Sequence, residues 1–205
     1  MKLSIFLRYL RAFFRIWENS YNKIKLRLLL RLNNIHHGNI ICHGYPYIAV
    51  HPKGKCILGN NFTMSNGTRF NPIGFPFPCQ IVVTENATLN IGDNVGISQA
   101  AIICHHSIAI GNNVKIGGGV KIYDTNFHSL NSIHRRSKEL DMKNKKCRPV
   151  IIEDDVFIGA GSIILSGVKI GRNSIIAAGS VVCKEVPINE IWGGNPAKFI
   201  KRISL

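Results

Sequence analysis

Acidic residues are scarce in this sequence: 11 Asp and Glu stand against 26 Lys and Arg, which gives a formal net charge of +15. The excess lies in two segments, 1–32 and 128–149, and the rest of the chain is close to neutral. A charge of this size indicates an anionic ligand or surface. It does not indicate nucleic acid, because no recognition motif accompanies it and aromatic residues are not interleaved with the charges.

Long apolar runs and paired cysteines are also missing. No stretch approaches the ~20 apolar residues that a spanning helix needs. Arg8 and Arg11 interrupt what would be the apolar region of a secretory signal. The six cysteines form no CxxC pair and no compact framework. We therefore expect free thiols and a cytoplasmic protein.

The second half of the chain carries aliphatic residues at a stride of six. That stride fits neither the period of a strand, which is about 2, nor that of a helix, which is about 3.6. One column is Ile152, Ile158, Ile164, Ile170, Ile176 and Val182, and another is Ile110, Ile116 and Ile122. Short side chains follow four residues later, at Val114, Val120, Val156, Ser162, Val168, Ser174 and Ser180. A hexapeptide repeat of this kind predicts a parallel β-helix, with three hexapeptides in each coil.

Polar corners recur once per coil and reveal where the chain leaves the stack. The spacing from Asn94 to Asn113 and from Asp155 to Asn173 corresponds to one coil each. The interval from Asn113 to Asp155 is far longer, which predicts an extruded loop over 127–151. The interval before Asn94 is also long. The segment 71–85 within it is either an excursion or part of a short extra coil, and the period does not decide between them.

Residues 3–32 read as a basic amphipathic helix. Apolar side chains that include Trp17, Tyr21, Ile24 and Leu28 recur at steps of three and four, with basic residues opposite. Such a helix can lie on an anionic membrane surface, at the inner face of the cell membrane. It can equally cap the open end of the β-helix, and one helix can do both.

Three stretches of the sequence resemble a known family. The first runs from Ile110 to His128, the second covers 149–159, and the third combines 178–182 with 192–198. They resemble the hexapeptide-repeat acyltransferases of the left-handed β-helix fold. The resemblance is greatest to the galactoside/maltose O-acetyltransferase branch, and especially to members that modify capsule, exopolysaccharide or lipopolysaccharide sugars. It covers about 45–202 and leaves out the amino-terminal helix.

The resemblance implies an all-β, left-handed parallel β-helix that assembles as a homotrimer. We expect an amino-terminal helical segment over 1–39, the β-helix acyltransferase domain over 40–190 with its loop at 127–151, and a tail over 191–205 that contacts coenzyme A. Periodicity itself does not reveal the hand of the coil, and the general preference of parallel crossovers is right-handed.

The family also implies a reaction and its residues. Acetyl-CoA is the acyl donor and a sugar hydroxyl, free or lipid-linked, is the acceptor. No metal and no covalent enzyme intermediate take part. His128, at the base of the extruded loop, matches the family's general base. Asp124 can orient the His128 ring or can be a structural corner residue. Ser65 or Asn66 matches an acceptor-binding asparagine. The positions that match coenzyme A contacts are Ala160, Ala178, Cys183, Lys184, Lys198 and Lys201.

Other functions remain open on the sequence. The acceptor can be an amine of a nucleotide-linked amino sugar, or serine, or a hydroxylated xenobiotic. A zinc enzyme related to the γ-type carbonic anhydrases is disfavoured, because His128 and His134 are six residues apart rather than five. A non-catalytic scaffold is the remaining alternative.

Overall fold

The computed structural model describes residue 8 and residues 21–73 and 75–204, so most of the predicted helix before residue 21 lies outside the described residues. Helix α1 covers 21–32, and α2 (Lys138–Asn144) and a short 3-10 helix (His134–Arg136) lie in the extruded loop. The first strands are β1 (His36–His37), β2 (Ile40–His43), β3 (Tyr47–Val50), β4 (Lys55–Leu58), β5 (Phe62–Ser65), β6 (Gln80–Val83), β7 (Thr88–Ile91), β8 (Gly96–Ser98), β9 (Ala101–Cys104) and β10 (Ser107–Ile110). The others are β11 (Lys115–Ile116), β12 (Lys121–Tyr123), β13 (Val150–Ile152), β14 (Phe157–Ile158), β15 (Ile163–Ile164), β16 (Lys169–Ile170), β17 (Ile175–Ile176), β18 (Val181–Val182), β19 (Glu190–Gly194) and β20 (Ala197–Arg202).

Successive strands pass in turn through three sheets, so that each coil contributes one strand to each sheet. Sheet A has the order β1-β4-β7-β10-β13-β16, and sheet C has the order β3-β6-β9-β12-β15-β18. Sheet B has the order β2-β5-β8-β11-β14-β17-β19-β20, and only its last pair is antiparallel. This confirms the predicted parallel β-helix. Strand β1 precedes the expected domain start at residue 40, and β19 and β20 extend sheet B past residue 190.

The columns predicted from the six-residue stride form the core. All nine aliphatic residues of the two columns are at most 3% exposed, and the seven short residues that follow them are at most 2% exposed. Register aligns the columns, since Ile110 pairs with Ile91 on one side and with Ile152 on the other. Burial of one such aliphatic side chain contributes roughly 1.5–3 kcal/mol. The same environment repeats in every coil, which is why the period is visible in the sequence.

Corner one, where the chain passes from sheet A to sheet B, carries a ladder of amides. Asn61, Asn94, Asn113 and Asp155 all have a positive φ of 56–61°. Asn and Asp tolerate this left-handed conformation better than most residues do. Asn61 Nδ2 donates to Asn94 Oδ1 at 3.1 Å, and each following rung repeats the bond at 3.1–3.2 Å up to Asp155.

Residues 66–79 leave the stack at corner two, between sheets B and C. Strand β5 ends at Ser65 in sheet B, and the next strand, β6, begins at Gln80 in sheet C. The segment that the period left undecided is therefore an excursion from a single coil, and no extra coil is inserted.

Helix α1 packs on the first coil through a different face from the one predicted to be apolar. Leu26 and Leu30 are 7% and 2% exposed and join the hydrophobic core. Tyr21, Ile24 and Leu28 of the predicted apolar face are instead 49–66% exposed. The helix therefore has two apolar stripes, and the first coil covers only one. Among the described residues, no helix is both long and apolar enough to cross a membrane.

Candidate active site

The extruded loop leaves the β-helix at corner three, between sheets C and A, through a closed neck. Thr125 and Cys147 form an antiparallel bridge across the neck. The backbone N–H of Arg148 donates to the carbonyl of Asp124 at 2.8 Å, and the N–H of Asn126 donates to Lys146 at 3.0 Å. The neck holds the two ends of the loop side by side, so that the first and last parts of the loop can meet.

His128 and Asp141 form a hydrogen-bonded pair just beyond the neck. Ser137 caps the start of α2 and brings Asp141 into the first turn of that helix. Asp141 Oδ2 lies 2.6 Å from His128 Nδ1, and Asp141 Oδ1 accepts the backbone N–H of Ser129 at 2.7 Å. The carboxylate is buried, with its side chain 11% exposed, whereas the imidazole is 70% exposed. Asp141 was not among the residues selected from the sequence.

The carboxylate fixes the tautomer of the imidazole. Because an ionised carboxylate can only accept hydrogen bonds, Nδ1 of His128 must carry a proton. The lone pair of neutral His128 then sits on Nε2, the position from which an imidazole acts as a base. The hydrogen bonds from His128 and from the Ser129 N–H lower the pKa of Asp141. The carboxylate is thus ionised at neutral pH, and its stabilising effect is lost as the pH falls through that lowered pKa.

Asp124 does not orient His128, which corrects the first of the two roles considered for it. The residue is 0% exposed. Its oxygens accept backbone N–H groups from His105, His106 and Ser107, each at 2.7 Å. Three charge-assisted hydrogen bonds occupy the carboxylate, so Asp124 serves as a structural residue of corner three.

Replacing Asp124 with Asn is expected to destabilise the fold without a specific effect on chemistry. The amide has only one oxygen to offer, and its NH₂ group would face a backbone N–H. We expect the free energy of unfolding to fall by about 3 kcal/mol, measured by urea denaturation. A variant that keeps wild-type stability would contradict this structural role.

His105 contacts the extruded loop through Lys145, whose Nζ lies 2.8 Å from His105 Nδ1. Burial and the Lys145 charge lower the pKa of His105.

Among the described residues, no group of three or more His, Cys, Asp or Glu side chains is arranged to hold a metal ion. All six cysteines are free.

The residues that match coenzyme A contacts fall at two corners and along the last hairpin. Ala160 and Ala178 stack at corner two of successive coils, where the N–H of Gly179 donates to Ala160 at 2.8 Å. Lys198 pairs with Gly193 near the same corner, and Lys201 pairs with Ile191 further along β20. Cys183 and Lys184 lie at corner three, after β18, and both are exposed.

Ser65 and Asn66 lie at the end of β5 but have different surroundings. Ser65 lines a shallow trough on sheet B together with Thr63 and Ser98. Asn66 is 5% exposed, its Nδ2 donates to His43, and its Oδ1 accepts the Cys79 N–H. The Asn66 amide therefore holds the start of the 66–79 excursion. Contact with the acceptor remains a prediction for both residues. Ser65 fits this role better, because it lines the open trough whereas the Asn66 amide is engaged in hydrogen bonds to the backbone.

Comparison with known proteins agrees with this fold. The family model described as the hexapeptide repeat of succinyl-transferase matches residues 149–184. YJL218W of Saccharomyces cerevisiae, which is named as an inferred acetyltransferase, is 39% identical over 130 residues, 63% of this chain and 61% of its own length. A 2,3,4,5-tetrahydropyridine-2,6-dicarboxylate N-acetyltransferase of Clostridium perfringens is 58% identical over 55 residues, 27% of this chain and 23% of its own. The chain thus spans less than two thirds of these relatives.

Solved structures extend the similarity over most of the chain. The hexapeptide-repeat-containing acetyltransferase VCA0836 of Vibrio cholerae has a TM-score of 0.59 at 25% identity, covering 89% of this chain and 81% of its own. Galactoside acetyltransferase in complex with coenzyme A has a TM-score of 0.56 at 21% identity, covering 93% and 78%. The fold class is that of the left-handed parallel β-helix, as the resemblance implied. The chain is thus similar to hexapeptide-repeat acetyltransferases in both sequence and fold.

Proposed function

We propose that this protein is an O-acetyltransferase that moves the acetyl group of acetyl-CoA to a hydroxyl of a sugar in a surface-polysaccharide precursor. The observation that carries the proposal is the His128–Asp141 pair at the neck of the extruded loop. It provides a base of fixed tautomer on an exposed ring. The names of its relatives support acetyl transfer, and the structure of galactoside acetyltransferase with coenzyme A supports the donor.

The proposed reaction needs one base and no covalent enzyme intermediate. His128 Nε2 takes the proton of the acceptor hydroxyl while its oxygen attacks the thioester carbonyl carbon. The tetrahedral intermediate then collapses, the carbon–sulfur bond breaks, and coenzyme A leaves as a thiol with the proton that His128 had taken. Asp141 stabilises the imidazolium that exists between these two steps. Cys183 takes no part as a nucleophile.

We propose that the site is shared between neighbouring copies in a homotrimer. In one chain, His128 lies at corner three, whereas Ala160, Ala178 and Lys198 lie at or near corner two, so sheet C separates them. A groove between corner two of one copy and corner three of the next brings the two sets together. Cys183 and Lys184, at corner three, would then line the opposite wall of the same groove.

The reaction is tested by thiol release from acetyl-CoA in the presence of pyranoside acceptors. We expect thiol release to depend on the acceptor and the product to be an acetyl ester. Alkaline hydroxylamine cleaves esters and leaves amides intact. A product that resists hydroxylamine would be an amide. The acceptor group would then be an amine rather than a sugar hydroxyl, in line with the N-acetyltransferase relative. Absence of transfer from acetyl-CoA to every acceptor would contradict the proposal.

A shared site predicts complementation between two inactive variants. His128→Ala removes the base, and Ala178→Trp fills the coenzyme A groove at corner two. When the two are denatured together and refolded in equal amounts, about a quarter of the sites in a random trimer combine an intact corner two with an intact corner three. We expect about that fraction of wild-type activity.

Each variant refolded alone is the control and should stay inactive. Light scattering checks that the mixture is trimeric. A trimeric mixture with no activity would place the whole site within one chain.

We also propose that α1 lies on the inner face of an anionic membrane. Its exposed stripe consists of Tyr21, Ile24, Leu28 and Leu32, which are 49–75% exposed. Arg27 and Arg31 are exposed beside this stripe. An apolar stripe bordered by basic residues is the pattern of a helix that lies in a membrane interface. Leu26 and Leu30 remain in the core, so the same helix can keep its packing on the first coil.

The membrane prediction separates the two stripes of α1. The double variant Ile24→Ser with Leu28→Ser is expected to weaken binding to phosphatidylserine-containing vesicles at least about tenfold, because two apolar side chains no longer enter the interface. Arg27→Gln with Arg31→Gln is expected to weaken it by about 2 kcal/mol, and only on anionic vesicles. Sedimentation with vesicles measures both effects. Equal binding by the wild type and the Ile24/Leu28 variant would contradict the proposal.

A further inference from the structure

The residue before His128 has a backbone conformation that its own side chain disfavours. Phe127 has a φ of 59°, which lies in the left-handed region. The other described residues with positive φ are Gly, Asn, Asp and one Gln, and Phe127 is the only aromatic residue among them. Gly, and to a lesser degree Asn and Asp, adopt this region routinely, whereas a bulky residue rarely does. Such a residue persists only where its surroundings hold it, and strained residues of this kind cluster at functional sites.

Phe127 lies at the centre of a tight turn that leads from the neck to His128. The backbone N–H of His128 donates to the carbonyl of Asn126 at 2.6 Å, which closes a three-residue γ-turn. With positive φ at its centre, this is the rarer and more strained form of that turn. The N–H of Phe127 donates to Thr125 Oγ1 at 3.0 Å, and Thr125 is buried in the neck. The turn therefore fixes the direction in which the His128 side chain leaves the backbone.

Two rings of the β-helix hold the Phe127 side chain. The centroid of the Phe127 ring lies 5.3 Å from that of Tyr123, at an interplanar angle of 59°, and 5.8 Å from that of His105, at 77°. Tilted and edge-to-face arrangements at such distances are favourable for aromatic pairs. Tyr123 belongs to strand β12, and the backbone N–H of His105 is fixed by Asp124. A relaxed backbone at Phe127 would carry its ring away from both partners.

His105 connects this cluster to the returning limb of the extruded loop. Its Nδ1 lies 2.8 Å from Lys145 Nζ, and Nδ1 accepts, because an ammonium group can only donate. The backbone N–H of Lys145 donates to the carbonyl of Asp141 at 3.0 Å. One imidazole thus contacts Phe127 on the outgoing limb and Lys145 on the returning limb. The hydrogen bond between His128 and Asp141 joins these same two limbs.

We propose that Phe127 is a positioning residue for His128, because its ring, held by Tyr123 and His105, maintains the strained turn that directs the imidazole towards Asp141. The inference rests on the proposed function, since it concerns the same base. Both the direction of the imidazole and its tautomer depend on the bond to Asp141. A relaxed turn would rotate the His128 side chain away from that carboxylate and leave the tautomer free. Phe127 itself touches no reacting atom.

Replacing Phe127 with Gly tests this role. Gly accepts positive φ without strain but has no ring, so the turn is allowed but no longer held. We expect turnover to fall at least about tenfold while the KM of acetyl-CoA changes less than about threefold, because a misdirected base affects the chemical step and not donor binding. Phe127→Tyr keeps the ring and should retain turnover within about threefold of wild type.

Asn86→Gly is the matched control. Asn86 is exposed, has a φ of 58°, and occupies corner three between β6 and β7, in an earlier coil than the loop. The substitution places the same backbone change at the same corner without touching the extruded loop. Its turnover should equal that of wild type. Equal losses in the two Gly variants would trace the effect to a general loosening of corner three and would overturn the assignment.

The tautomer of His128 provides a readout that does not depend on acetyl transfer. 15N NMR of the histidine side chains distinguishes a protonated Nδ1 from an unprotonated one, and His128→Ala identifies the His128 signals by their absence. At a pH where the ring is neutral, we expect a protonated Nδ1 in wild type and in Phe127→Tyr. In Phe127→Gly, the two nitrogens should shift towards the averaged values of histidine in a short peptide.

Failure of the turn and failure of the reaction give different results. If no acetyl group is transferred but Phe127→Gly loses the fixed tautomer, the positioning role stands and the proposed function falls. Wild-type turnover together with a wild-type 15N spectrum in Phe127→Gly would overturn the positioning role. A loss of turnover with an unchanged spectrum would overturn it as well, because the ring would then act otherwise than through His128. The same holds for a Phe127→Tyr protein as impaired as Phe127→Gly.

Discussion

Replacing His128 with Ala is expected to lower the rate constant for acetyl transfer by about 10²–10⁴ while the affinity for acetyl-CoA changes little. The imidazole is the proposed base, and its removal leaves the acceptor hydroxyl to lose its proton to solvent. The side chain is 70% exposed and lies on the loop, away from the core, so the fold should be retained. Stopped assays at saturating acetyl-CoA measure the turnover, and calorimetric titration measures the affinity.

His106→Ala is the matched control for this experiment. Its side chain is exposed at the same corner, and only its backbone N–H contacts Asp124. We expect turnover within a few-fold of wild type. If instead the His106 variant loses activity and the His128 variant retains it, the base has been assigned to the wrong histidine.

Replacing Asp141 with Asn is expected to lower turnover by about 10²–10⁴, although Asn has nearly the same shape. The amide can present its NH₂ group to the ring, which favours a proton on Nε2, the wrong tautomer for a base. It also removes the charge that stabilises the imidazolium. Asp141→Glu, which restores the charge at a longer reach, should recover part of the rate. Turnover as a function of pH for all three proteins measures the effect.

Glu139→Gln on the same helix is the control, because it removes one carboxylate from the first turn of α2 without touching His128. It should leave turnover near wild type. An Asp141→Asn enzyme with unchanged turnover would mean that the hydrogen bond between His128 and Asp141 only holds the loop in place.

The excursions show where the periodic pattern stops being informative. The extruded loop, predicted over 127–151, could be located because it interrupts two regular series of hexapeptides. Its predicted end was too late, since strand β13 already begins at Val150. Its internal structure could not be predicted, because the contact between His128 and Asp141 joins residues 13 apart that follow no repeat. The closed neck between Thr125 and Cys147 brings them together. The only local signal is Ser137, a good N-cap residue, four positions before Asp141.

The same limit applied to the first excursion and to α1. Gln99 Nε2 donates to the carbonyl oxygen of Phe75, a residue 24 positions earlier. No sequence pattern links these two residues, and they meet only because residues 66–79 fold back over corner two. Helical periodicity detected an amphipathic helix but not that it has two apolar stripes. Leu26 and Leu30 pack against the first coil and are buried, whereas the predicted apolar stripe is exposed.

The sequence by itself determined the β-helix, its polar corners and the position of the extruded loop. Each coil repeats one environment at one spacing, so a local pattern is enough to specify the core. The tertiary structure alone decided which carboxylate contacts His128, which stripe of α1 is buried, and that Gln99 contacts Phe75. These contacts occur once, between segments that leave the repeat, and they depend on how the excursions close in space.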